Sequence, residues 1–185
     1  DVYAANQHSC GRRAQGKVWC WGTTNLNALG LNSDAAFGPT KLQVRHNGIL
    51  QDLVAEGFWT GWASSCASIR TNELNYFCID SFEQEGFNSA GPIIDIDGDP
   101  LTVGGEVVFG GGTGASAYPY HVCALNEQGK AYCWGSGADY RLGNNRTENT
   151  AIRTATAVTN QLNRPSTLPR MRTLATLRYG YANGL

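Results

Sequence analysis

The strongest constraint on this 185-residue chain is a pattern of paired cysteines. "HSCGRRAQGKVWCWG" begins at His8, and nearly the same string, "HVCALNEQGKAYCWG", begins at His121. Aligned without gaps, positions 8–30 and 121–143 share 10 of 23 residues. Between them, "SSCASIRTNELNYFCID" is a degenerate copy holding Cys66 and Cys78. The first cysteines of successive copies lie 56 and 57 positions apart. A fixed period of this length signals one supersecondary unit used three times.

Each unit reads as a β-hairpin. Pairing Cys10 with Cys20 also pairs Arg12 with Val18 and leaves the loop Ala14-Gln15-Gly16. Three-residue hairpin loops favour glycine last, where the backbone turns left-handed. The same construction around Cys123 and Cys133 leaves Glu127-Gln128-Gly129. The middle copy is two residues longer and has Glu73 there, so its turn must differ. Cysteines directly opposite on neighbouring strands approach closely enough to bridge. This arrangement predicts three disulfides: Cys10 with Cys20, Cys66 with Cys78, and Cys123 with Cys133. Zinc is the alternative for six cysteines, although its ligands usually come as C-x2-4-C. Trp19, Trp21, Tyr132 and Trp134 fall on the other face of their strands and are expected to pack between units.

Disulfides imply an oxidising compartment, hence a secreted or cell-surface protein. The sequon Asn145-Arg146-Thr147 fits that address and makes Asn145 a candidate glycosylation site. No apolar run approaches the ~20 residues needed to span a bilayer. The chain opens on Asp1, as a removed signal peptide or a fragment of a longer protein would leave it. Only 16% of residues are charged, while Gly numbers 23 and Trp 5. That balance points to an all-β protein. The net charge of −1 gives no reason to expect nucleic acid. Its distribution is uneven: residues 1–140 carry 7 basic against 14 acidic side chains, and residues 141–185 carry 7 arginines against Glu148 alone. An acidic body and a basic tail can attract within or between molecules.

The pattern resembles the regulator of chromosome condensation repeat family. The residues that carry the resemblance are Tyr3-Ala4-Ala5, His8-Ser9-Cys10, the run 16–22 and Ala28-Leu29-Gly30 in the first copy. In the third they are the runs 121–125 and 129–135 with Arg141-Leu142-Gly143. "LQDLVAEG" and "MRTLATLRYGYANG" look like runs that lead into new blades. The middle copy departs from the pattern, with Ile79-Asp80 in place of Trp-Gly. The resemblance implies a β-propeller of four-stranded blades. The family usually closes with about seven blades, and this chain offers about three, too few to close. The nuclear exchange activity of the family's founding member is not expected, because its setting is reducing.

Residues 90–118 interrupt the repeat, with "PIIDI" and "GEVVF" reading as short strands between glycine-rich turns. Asp95, Asp97 and Asp99, with Glu106 at the twelfth place, resemble a calcium loop of the EF-hand or dockerin type. Pro100 stands where that loop needs glycine, so an aspartate-rich turn is the competing reading. "GGGTG" at 110–114 echoes the glycine loop of tubulin-like nucleotide binders, but no Gly-Lys-Ser/Thr follows. His8 and His121 occupy the repeat's own position and are expected to be structural. His46 and the carboxylates Glu83 and Glu85 read as solvated loop residues. There is no G-x-S-x-G, no H-E-x-x-H and no cysteine left over as a nucleophile.

The expected fold is an all-β, partial or open β-propeller of about three blades built from antiparallel hairpins. Repeat 1 spans about 1–49, repeat 2 about 50–89, the insertion 90–118 and repeat 3 about 119–165, with the start of a fourth at 166–185. The expected role is a secreted, non-enzymatic structural or interaction module without a required cofactor. Its partners are further copies of itself or another extracellular protein or glycan, with head-to-tail filament assembly as the sharper form. The alternative is a fragment of a full secreted propeller that binds a protein or glycan.

Overall fold

In a computed structural model the described residues are 1–5, 8–23, 37–46, 49–61, 64–70, 73–80, 92–110, 121–150 and 154–159. The motif residues 28–30, the carboxylates Glu83 and Glu85, most of the glycine run and the expected fourth repeat lie outside them.

The chain is all-β and forms a partial propeller of three blades. The first blade holds β1 (Val2–Ala4), β2 (His8–Arg12), β3 (Val18–Gly22) and β4 (Phe37–Lys41), antiparallel and in chain order. The hairpin β5 (Gln43–His46) and β6 (Ile49–Asp52) follows. The second blade holds β7 (Gly57–Thr60), β8 (Ser64–Arg70) and β9 (Leu74–Asp80). The third holds β10 (Val107–Gly110), β11 (His121–Leu125), β12 (Ala131–Gly135) and β13 (Thr156–Ala157). Strand β10 falls inside the segment that sequence sets apart as an insertion.

The hairpin registers match the sequence reading. Cys10 faces Cys20, Arg12 faces Val18, and Gly16 has φ 78° at the end of the loop. Cys123 faces Cys133, and Gly129 has φ 75°. Side chains alternate along a strand, so each blade has two chemically different faces. The cysteine face of blade one, with Cys10, Cys20, Val18 and Tyr3, packs on Phe58, Ala67 and Phe77 of blade two. The cysteine face of blade two, with Cys66, Cys78 and Trp59, packs on Val107, Val122, Ala124, Tyr132 and Trp134 of blade three. Tilted ring pairs, Tyr3 with Phe58 across the first junction and Trp59 with Tyr76 within blade two, add directional contacts. Both junctions therefore join a cysteine face to an aromatic face. The expectation that the tryptophan face packs between units holds for Trp134, which is 3% exposed.

A strap at 101–105 ties blade two to blade three. The Leu101 carbonyl accepts from the Tyr76 amide at 3.2 Å, and the Val103 amide donates to the Leu74 carbonyl at 2.9 Å. The Gly104 amide then donates to the Leu125 carbonyl at 2.9 Å. The buried Tyr76 hydroxyl lies 2.6 Å from the Gly105 carbonyl and 2.9 Å from that of Leu125, and accepts from the Gly105 amide at 3.1 Å.

Candidate binding surface

The three disulfides close within their hairpins, Cys10–Cys20, Cys66–Cys78 and Cys123–Cys133, with Cα separations of 4.1, 4.0 and 4.1 Å. Such short separations belong to opposed residues that are not hydrogen-bonded to each other. No cysteine is free. Zinc is thereby set aside, because thiolates are needed to bind it.

The residues read as a calcium loop behave otherwise. Oδ1 of Asp95 accepts from the backbone amides of Asp97 and Asp99, each at 3.0 Å, and the Gly98 amide donates to the Asp95 carbonyl at 3.1 Å. Asp95 thus caps its own turn. Among the described residues no group of three or more acidic, histidine or cysteine side chains is placed to hold a metal ion. Asp95, Asp97, Asp99 and Glu106 are not brought together as a ligand set. Ile96, at the tip of this turn, is 75% exposed.

Asn145 lies on the loop between β12 and β13 and is exposed together with Arg146 and Thr147. The loop ends are pinned. The Gly137 amide donates to Oδ1 of Asn149 at 3.0 Å, and the Gly135 amide to Oγ1 of Thr150 at 2.8 Å. Asp139, Tyr140 and Asn145 all take positive φ, between 55° and 62°. Leu142 is fully buried beneath them, while Tyr140 is 59% exposed. Sequence reading marked the sequon but missed this compact, presented loop. Its signal was the density of Gly, Asn and Asp, residues that tolerate left-handed backbone.

On blade one, Trp19 is flanked by two cations. The Arg13 guanidinium stands 5.3 Å and the Lys41 ammonium 5.7 Å from the ring centre. Lys41 also pairs with Asp52 at 3.0 Å, and Lys17 reaches the same carboxylate at 3.5 Å. Hydrogen bonding to Lys41 is the leading reason the Asp52 carboxyl sits below the usual range. The Trp19 indole N–H is buried and has no partner among the described residues.

His8 and His121 hold equivalent places, opposite Gly22 and Gly135. Burial pushes both imidazoles below the ordinary value of 6.5, and Arg141 adds to this at His121. Nε2 of His8 and Nδ1 of His121 lack partners among the described residues. A hydrogen-bonding role for the two rings, the sequence expectation, is not shown at these nitrogens; the His46 side chain lies outside the described atoms. The linkage has a definite sign. Well above the ordinary value of 6.5 the two states bind the same number of protons at these rings. Below it the unfolded chain takes up protons that the folded chain resists, so stability falls as pH drops. The urea midpoint should therefore decline between pH 7 and pH 5. A His8→Asn, His121→Asn double variant should show a flatter profile. An equal slope in both proteins would remove the histidines as the cause.

Comparison with known proteins agrees with this geometry. The model of the regulator of chromosome condensation (RCC1) repeat matches residues 1–31 and 114–141, the first and third copies. No curated protein sequence matches the chain. Among solved structures, yeast RCC1 (Prp20) bound to Kap60 has a TM-score of 0.56 at 17% identity, covering 88% of this chain and 37% of that one. Human WBSCR16 has a TM-score of 0.57 at 18% identity, covering 87% and 40%. Prp20p from Saccharomyces cerevisiae, described together with its binding to Gsp1p and histones, has 0.55 at 16%, covering 88% and 38%. The chain spans about two fifths of the length of these structures. The first and third copies are thus similar to the RCC1 repeat, and the solved neighbours share the fold of this chain, a partial β-propeller.

Proposed function

We propose that this chain is a non-enzymatic interaction module that works outside the cell and associates with further copies of itself. The observation that carries the reading is the disulfide set: one closed bridge per blade, with no thiol left over. A set of this kind fits an oxidising compartment. The exposed sequon at Asn145 fits it as well. The yeast neighbours, described with Kap60, Gsp1p and histones, suggest contact with protein surfaces as the kind of work done here. Opposite charge on residues 1–140 and 141–185 supplies attraction between copies.

Sedimentation of the intact protein at low and high salt tests the reading. Species heavier than 19.9 kDa should form at low salt and weaken as salt rises. A chain that stays monodisperse at its monomer mass at low salt overturns self-association. Loss of mass from the natural protein on glycosidase treatment, abolished by Asn145→Gln, would support the extracellular address. A second reading has its own motive in the two-fifths coverage of the solved neighbours. In it the module is part of a larger secreted propeller that binds a protein or glycan on its loops. A natural mature chain more than twice this mass would favour it.

A further inference from the structure

Charge within the first 140 residues is sharply divided. Positions 1–52 carry five basic and three acidic side chains, and positions 53–140 carry two basic and eleven acidic. Three of the five cations stand together on blade one. Across the β2–β3 turn the Arg13 amide donates to the Lys17 carbonyl at 3.0 Å, so these two residues oppose each other. Trp19, two residues on, opposes Lys41 of β4. Side chains alternate along a strand, so Arg13, Lys17, Trp19 and Lys41 share one face. The matching places in blade three hold Asn126, Lys130, Tyr132 and Ala157. The cluster is therefore a property of blade one and not of the repeat.

These cations are both restrained and reachable. Arg13 is exposed, and the side chains of Lys17 and Lys41 are 42% and 35% exposed. The half-buried Trp19 ring, 5.3 Å from the Arg13 guanidinium and 5.7 Å from the Lys41 ammonium, restrains two of them from beneath. Among the described residues Asp52 is the one carboxylate paired with the cluster, at 3.5 Å from Lys17 and 3.0 Å from Lys41. A surplus of two positive charges remains. Side chains already held in place lose less entropy on meeting an anion. We infer that Arg13, Lys17 and Lys41 bind a sulfated polysaccharide. Separate cations along a sheet face suit charges repeated along a linear polymer. The choice of source rests on the extracellular address proposed above, not on self-association.

The test measures, on the whole chain, affinity for a size-defined heparin oligosaccharide by calorimetry. Arg13→Ser, Lys17→Ser and Lys41→Ser together should weaken binding by about tenfold or more, each contact being worth a factor of a few. The slope of log affinity against log salt should flatten at the same time. Removing three charges weakens any polyanion contact, so Asp52→Asn supplies the opposite sign. Freed of their carboxylate, the two lysines should bind about threefold tighter. Melting curves of each variant check the fold. The arginines of 141–185 are the rival site. Arg170→Ser, Arg172→Ser and Arg178→Ser together should leave the affinity close to that of the unaltered protein. A loss there as large as in the blade-one variant overturns the inference. So does an Asp52→Asn protein that binds no tighter, or an unaltered protein that does not bind. Single-stranded DNA of equal charge bound more tightly than heparin would overturn the glycan as occupant. Oligomeric state and the Asn145 glycan are read in separate experiments, so failure here is distinct from failure of the earlier reading.

Discussion

Complete reduction of the three disulfides unfolds the chain. Each bridge closes a short loop, with sequence separations of 10, 12 and 10 residues. Loop-closure entropy for loops of this size corresponds to about 3 kcal/mol apiece, or roughly 8–9 kcal/mol together. A domain of this size is stable by only about 5–15 kcal/mol, so the loss is comparable to the whole margin. The sulfurs also form part of the two cores. Cys10, Cys20 and Cys66 are fully buried, so an ionised or newly polar group there would sit among Phe58, Ala67, Tyr76 and Trp134. Near-ultraviolet circular dichroism followed during titration with a thiol reductant reads the outcome. The signal should collapse as six thiols appear. Cys123 is only half-buried, so its bridge should open first. A fully reduced chain with native dichroism would show that the bridges are dispensable, and the extracellular reading would lose its main support.

The second large effect is expected at Gly104. A Cβ there would overlap the backbone carbonyl of Asn126 and lie 2.6 Å from the Glu127 amide nitrogen. These are main-chain atoms of the β11–β12 turn, which cannot swing away as a side-chain tip can. Moving the strap back would break the Gly104-to-Leu125 hydrogen bond and pull Gly105 from the Tyr76 hydroxyl. Gly104→Ala should therefore cost about 3 kcal/mol or more, among the larger effects of a single substitution. For a chain of this size that is roughly 6–12 °C in melting temperature. Gly38→Ala is the control, since nothing lies within 4 Å of its added carbon. Tyr76→Phe should fall between them, at about 1–3 kcal/mol for stranding buried backbone groups. A Gly104→Ala protein that melts like the unaltered one would mean that the strap does not hold the second junction.

Much of this architecture was legible in the cysteines. Two residues at fixed spacing around a glycine-ended loop specify register, and register specifies which side chains share a face. The faces of blades one and three follow from that alone. Other elements left a weaker trace. Strands β5 and β6 pair His46 with Ile49, and the Asn-Gly that stands between them in the sequence is a strong hairpin signal overshadowed by the polar run "RHNG". Strand β10 pairs Val107 with Ala124 across a glycine-rich stretch, and local propensity says little about such distant partners. The strap was invisible because its bonds are to backbone groups of other blades. The aspartate run carries two readings for a physical reason. A turn capped by its first aspartate and a cation loop both place oxygens at alternate positions, and only the fold decides whether they face an ion or their own amides.

The consistent orientation of the junctions bears on how such a protein can change over evolutionary time. Both described seams have the same sense, sulfur side ahead and ring side behind, so one rule joins these neighbours. The middle unit shows how little the rule demands: it lacks the Trp-Gly pair, yet Phe77 and Ala67 still meet the seam from the correct side. Duplication or deletion of an entire unit would leave each remaining seam matched, so copy number is free to drift while individual side chains stay constrained.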